Sequence, residues 1–297
     1  RALGSVRAEV ARALAAASAA VRAAAVEHAT EAAAAATPPS ADAPAKPAPP
    51  LPPPAGGEAG SAALANLPEE AEAAVLYVRF RAGAGELPAL LHEMEARLPR
   101  REYAQLLGDL HAQYCSARLQ LLLPLTQVRM ARAAADAAAP APEEALQALM
   151  RRGCGHLLTL CATEYSLFEG FFARGAAEMP AEALAPLLDP LATILYDLFR
   201  PRLLQAGDVD GLCALVELLQ GEMLDEHVRR RGDAVAAVVP FVRRTLGDVQ
   251  ERLLFRAHTF LRQEVHLFSP TAADLDFPKC LEPKKAEAGE GDSAGSG

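Results

Sequence analysis

An all-α fold is predicted by three features of this 297-residue sequence. Apolar residues recur every third or fourth position from Ala71 to Phe268, the spacing of a helix face. No stretch alternates apolar and polar residues between turn signals, as a half-buried strand does. Hydrophobic content is 51%, much of it Ala, while aromatics are only 5% and Trp is absent, so the core must be Leu and Ala packed between helices. A stretch of roughly 200 residues is long enough to hide about 70% of its extended surface. The predicted architecture is an elongated antiparallel helical bundle with a disordered Pro/Ala-rich linker.

Residues 1–36 form the first predicted segment. Leu3, Val6, Val10, Leu14, Val21 and Val26 mark a helix face in an Ala-rich background. The stripe is thin, so this helix needs something to pack against. Residues 37–70 read as a linker, because the prolines clustered between Thr37 and Pro54 each remove a backbone donor and fix φ. The same tract could serve as a polyproline ligand, but the linker reading is the simpler one.

Residues 71–268 are the predicted helical body. Pro88, Pro142 and Pro180 stand beside Glu86, Glu143 with Glu144, and Glu182, which is the grammar of helix N-termini. Gly207 followed by Asp208 reads as a helix end and then a new N-cap. Leu212, Leu215, Val216, Leu219, Met223 and Val228 form the face of the next helix. In the last helix Val235, Val238, Val242, Leu246, Val249, Leu253, Ala257 and Phe260 make a continuous seam. Pro240 should bend this helix or mark its start, and Pro124 raises the same question inside Leu119–Met130. Six to eight helices are expected, with turns near Gly83–Gly85, Leu98–Arg100, Ala138–Pro142, Arg174–Pro180, Gly207–Asp208 and Arg231–Asp233. Residues 269–297 are expected to be an extended segment and a disordered, acidic, Gly-rich tail. The start at Arg1 rather than Met suggests a piece of a longer protein. No 33–47-residue repeat is visible.

Composition narrows the function. A net charge of −9 argues against nucleic acid as a partner. Five irregularly spaced cysteines fit reduced thiols better than a disulfide framework. No apolar run approaches the roughly 20 residues that span a bilayer, so membrane association would be peripheral.

Candidate chemistry is sparse. Cys154, His156 and Cys161 are the best metal-like group, but on a helix Cys154 and Cys161 share a face from which His156 points away. Buried thiols lining a helix contact explain them better. His227 and His258 lie among charges without an evident catalytic partner. Gly83-Ala-Gly85 is a turn rather than a phosphate loop, and the common catalytic motifs are missing. Arg229-Arg230-Arg231 with Arg243-Arg244 could form a basic patch, yet helix-end cations complementing a dipole account for them. Phe168, Phe171 and Phe172 share one helix face; core packing is the first reading, and a partner site the alternative if they were exposed. No catalytic, cofactor-binding or metal residue is assigned. The residues describe an acidic helical bundle that binds proteins.

Several segments also resemble one family. Leu76-Tyr-Val-Arg-Phe-Arg81 and the stretch Arg101–Leu119 are similar to the central region of the third subunit of the conserved oligomeric Golgi complex. The likeness continues through Arg152-Gly-Cys154, Cys161 and Glu164–Phe172, then Leu195–Arg202, Leu212-Cys213, Glu222–His227, Asp248–His258 and Phe268–Pro278. The ordered set of blocks is what makes the resemblance specific. It implies a helical rod of the multisubunit tethering-complex type, working at the cytosolic face of cis-Golgi membranes in intra-Golgi retrograde transport. Implied partners are other subunits of the complex, membrane-fusion (SNARE) proteins and small GTPases; no catalytic residue is implied. The competing reading is a helical adaptor in another tether, exocyst-like or endosomal. The Ala/Pro-rich tract and Pro124 depart from the family pattern, and the resemblance implies that the family's N-terminal coiled-coil arm and most of its C-terminal region lie outside this sequence.

Overall fold

The computed structural model describes residues 2–36, 56–97, 101–137, 142–173, 180–270, 272 and 275–278. Among these residues every regular element is helical. Helix α1 spans Ala2–Ala36 and α2 spans Gly56–Ala65. Helix α3 is a run of Glu69–Glu72, a π-helical stretch Ala73–Val78 and Arg79–Ala84. Helices α4 (Leu87–Glu95), α5 (Arg101–Asp136), α6 (Pro142–Phe171) and α7 (Pro180–Gln205) follow. Helix α8 joins Val209–Glu217, a π-helical Leu218–Val228 and Arg229–Arg231. A 3₁₀ segment, Gly232–Val238, leads into α9, which is Val239–Phe260 and ends in the π-helical Leu261–His266. The chain separates into two compact units, Arg1–Leu253 and Leu254–Gly297.

In the first unit α1 lies against α2, α3 and α5. Its thin stripe is sufficient because its neighbours come close. Val10, Leu14, Ala17 and Val21 are all buried. Gly83 of α3 abuts α1 so tightly that an added Cβ would sit 2.8 Å from the Ala17 Cα. Small side chains thus replace large ones as the packing device. The N-terminal helix is therefore part of the same unit as the main body.

Helices α5 and α6 run antiparallel. Moving forward along α5, the ring of His111 meets Phe172, Arg118 meets Glu164, and Asp136 meets Arg152. Gly153 lets α7 close onto α6, since a Cβ there would lie 2.5 Å from Leu195 Cδ1. The next junction is held by Glu143, whose Oε1 accepts the backbone N–H groups of Gly207 and Asp208 at 2.8 and 3.0 Å. Asp208 is the N-cap of α8, its Oδ2 accepting from the Gly211 N–H at 2.7 Å, as the sequence suggested.

Three expectations change. The linker assigned to 37–70 gives way at its far end to α2, because Leu64 and Leu67 find the core and Ala-rich sequence supports the helix; residues 37–55 lie outside the described residues. The single body expected over 71–268 divides after Leu253. Pro124 does not interrupt its helix: α5 continues through it. An interior proline costs roughly 3 kcal/mol, which burial of the flanking Leu121, Leu122 and Leu125 offsets at about 1.5–3 kcal/mol each. Pro240 does mark the real start of its helix, being the second residue of α9.

The close approach at Gly83 is testable. Gly83→Leu should lower stability by about 1–3 kcal/mol through overpacking against α1. Gly108→Ala, on a helix surface with nothing within 4 Å of the new Cβ, should leave stability unchanged or raise it by up to about 1 kcal/mol. Urea unfolding of the two variants checks the contrast.

Candidate functional site

The largest fully buried side chain is Arg118, on α5. Its guanidinium forks onto Glu164 of α6, with Nε donating to Oε2 at 3.0 Å and Nη2 to Oε1 at 2.6 Å. Both side chains have no solvent exposure. The remaining Nη1 donates to the Leu76 carbonyl of α3 at 2.9 Å. Leu76 lies in the π-helical stretch, a wider turn often found where a helix serves a special contact. The guanidinium also lies over the rings of Phe80 and Tyr77, 4.5 and 5.2 Å from their centroids. One cation therefore ties three helices together.

Electrostatics favours the charged pair. Burial opposes the charge on Arg118, but the adjacent Glu164 carboxylate and its hydrogen bonds more than offset this, and the guanidinium is held protonated more firmly than usual. The Tyr77 phenol is raised, first by burial and then by the Glu164 charge. Around the pair lies an edge-to-face cluster of Phe80, Tyr114, Phe168, Phe171 and Phe172. Phe168, Phe171 and Phe172 are fully buried, so the core reading of that aromatic face holds.

Above the cluster a groove of about 480 Å³ opens between α3 and α6, lined by Tyr77, Val78, Arg81, Ala82, Thr163, Ser166 and Leu167. A second, more polar hollow is lined by Arg129, Arg132, Asp136, Arg152 and His156. Arg129 there pairs with Glu69 and Glu72, both at 2.8 Å.

The residues singled out by sequence are scattered. Cys154 and Cys161 are buried together in the core, their thiols pushed up to about 12 by burial; thiols so raised are poor nucleophiles. His156 faces the polar hollow instead, lowered to about 4, first by burial and then by Arg129. No cluster of three His, Cys, Asp or Glu side chains suited to a metal occurs among the described residues. Arg229 and Arg230 pair with Asp225 and Glu226 one turn back, and Arg244 lies over the Tyr196 ring at 4.4 Å. Arg229 and Arg230 remain largely exposed, as helix-end cations with acidic neighbours. His227 is half-buried and His258 exposed.

The Arg118–Glu164 pair was not singled out by sequence reasoning. An isolated Arg or Glu at a core register of a Leu-rich helix was the available signal: Arg118 lies between Tyr114 and Leu122, Glu164 between Leu160 and Phe168, all buried. Also missed was the apolar surface of the second unit, where Leu254, Phe260, Leu261, Val265, Leu267 and Phe268 are each more than half exposed. The seam read from Val235 to Phe260 ran past the point where the fold covers it.

Comparison with known proteins gives a consistent result. Residues 73–295 match the family model described as conserved oligomeric Golgi complex subunit 3, C-terminal. A human protein named conserved oligomeric Golgi complex subunit 3 is 32% identical over 208 residues, 70% of this chain and 24% of that protein. The protein of the same name in Drosophila melanogaster is 31% identical over 214 residues, 72% of this chain and 22% of its own length. In Saccharomyces cerevisiae the identity is 25% over 223 residues. The chain thus spans about a quarter of the length of the curated relatives it matches. The matching model is the C-terminal one, which corrects the central-region placement expected from the sequence segments. No solved structure matches.

Cutting one side of the buried pair should be costly. Glu164→Gln or Arg118→Met alone is expected to destabilise the protein by about 3–5 kcal/mol, because it strands a buried charge. The double variant Arg118→Met with Glu164→Leu should recover most of that loss. Chemical denaturation of the three proteins reads both effects.

Proposed function

The chain belongs to the conserved oligomeric Golgi complex subunit 3 family, and from that premise we propose that it is a non-catalytic part of a Golgi vesicle-tethering complex. In this reading it serves intra-Golgi retrograde vesicle transport and Golgi organisation as a helical scaffold for protein contacts. The observation that carries it is the family match over residues 73–295, which takes in α4–α9 and most of α3. The physical arrangement is compatible with this reading: the charged pair ties helices together inside the core, and Cys115, Cys154 and Cys161 are buried there.

The proposed partners are other subunits of the complex, with SNARE proteins and small GTPases as the further partners that the family resemblance implies. The proposed location is the cytosolic face of cis-Golgi membranes, reached through partners. No helix among the described residues is long and apolar enough to cross a membrane, which is compatible with peripheral attachment.

Affinity purification of the intact protein from its own cells, coupled to proximity labelling, tests the reading. The expected result is near-stoichiometric recovery of the other Golgi tether subunits and labelling of cis-Golgi proteins. Recovery of endosomal or exocytic tether subunits instead would move the protein to another tethering class. Isolation without any tether subunit would overturn the scaffold reading.

A further inference from the structure

His156 stands near two cysteines in sequence, but the fold sets it among arginines. On α5, Arg129, Arg132 and Asp136 follow one another at steps of three and four; on α6, Arg152 and His156 are four apart. Residues so spaced share one side of a helix, and the two sides meet at the polar hollow of about 570 Å³. That size falls within the roughly 300–1,000 Å³ of small-ligand sites. Arg132 makes no ion pair among the described residues; it donates to Asn66 Oδ1 at 3.4 Å. Arg152 reaches Asp136 at 3.4 Å, with both side chains more than half exposed. Arg129 is held by Glu69, which is 81% exposed, and by Glu72, which is mostly buried. Exposed ion pairs are weak because water screens both charges. Glu69 and Asp136 are thus free to swing out, while Glu72 keeps Arg129 in place. The His156 ring lines the same hollow, and its Nε2 is buried without a hydrogen-bond partner. Its basicity is lowered to about 4, first by burial and then by Arg129, so at neutral pH it offers one N–H and one lone pair rather than a charge.

We propose that this hollow binds a phosphate monoester on a hydroxyl-bearing body, an inositol or sugar phosphate, either free or as a lipid headgroup. Planar guanidinium forks match phosphate oxygens two at a time, and three such groups from two helices converge here. A phosphate brings close to two negative charges at neutral pH. The lining carries three arginines against two carboxylates, Glu69 and Asp136, and both carboxylates are the exposed, weakly held ones. The phosphate therefore takes over cations that these acids hold loosely. Hydroxyl groups on the body suit His156 and Asn66, each of which can donate and accept. A buried ring nitrogen without a partner is the kind of group that a seated ligand satisfies.

Titration calorimetry of the intact chain with inositol 4-phosphate is the first arm of the test. The second is co-sedimentation with phosphatidylcholine vesicles carrying phosphatidylinositol 4-phosphate. The free ester should bind, and unphosphorylated inositol should not. Retention on the phosphorylated vesicles but not on plain ones would identify the lipid as the source; no retention, with the free ester bound, would identify a soluble ester. Arg132→Gln with Arg152→Gln, both at exposed positions, should keep the wild-type melting temperature and weaken binding at least tenfold. Asp136→Asn should tighten binding about two- to fivefold, the worth of an exposed ion pair. Glu251→Gln, on α9, changes the net charge equally and should leave binding as it was. Failure of both the ester and the vesicles to bind would overturn the proposal. So would equal binding by the double variant, or equal tightening by Glu251→Gln, which would reduce the effect to net charge. Should the double variant unfold, the contrast between Asp136→Asn and Glu251→Gln still decides.

Discussion

A single buried ion pair sets the terms for this fold. Arg118 can be fully enclosed only because all three donor nitrogens of its guanidinium find acceptors: two on the Glu164 carboxylate and one on the Leu76 carbonyl. Those acceptors belong to α6 and α3, while the arginine belongs to α5. A buried pair of this kind contributes little net stability, because desolvating both ions is expensive. Its effect is on geometry, since any sliding of one helix against the others leaves a charge stranded in an apolar core. Leucine and alanine alone are tolerant of register shifts; a forked arginine is not.

The aromatic cluster and the small-residue contacts complete this arrangement at different distances from the pair. Phe80, Tyr114 and Phe171 pack around it. Gly83, farther along, lets α1 approach to its backbone, and Gly153 leaves room for the Leu195 side chain of α7. Farther still, Tyr196 donates to Asp248 at 2.8 Å, and Arg252 donates to the Ala206 carbonyl through Nε and Nη2 at 3.0 and 2.7 Å, joining α7 and the chain beyond it to α9. With the buried charges of Arg118 and Glu164 engaged in this way, the proposed contacts with other molecules fall to outer surfaces. On the proposed reading that is what a tether scaffold requires: a fixed interior and an available exterior.

Much of the fold was legible in the sequence because local rules agreed with the tertiary result. Prolines beside acidic residues mark the starts of α4, α6 and α7, and the Gly207–Asp208 pair marks the α7–α8 junction. Helix α2 was hidden because Gly56, Gly57 and Gly60 resemble linker composition; its helix is supported by burial of Leu64, a contact with no local signature. Pro124 misled for the opposite reason: a local rule was overridden by the packing around it. The candidate surface was half legible. The seam through Val249 to Phe260 was read, but where its cover ends depends on which helices stop short, and that is decided by three-dimensional packing. The pair itself escaped notice because its members stand 46 residues apart. Leu76, Arg118 and Glu164 each fall inside one of the segments that carry the family resemblance, and their convergence is visible only in the folded chain.

The claim that the pair locks three helices as one unit is tested most directly by native-state hydrogen exchange. If it holds, the amides of Leu76–Phe80 in α3 should open only with those around Arg118 and Glu164, at a common free energy close to that of global unfolding. Exchange of the Leu76–Phe80 amides through a separate, lower-energy opening, with α5 and α6 still protected, would contradict it.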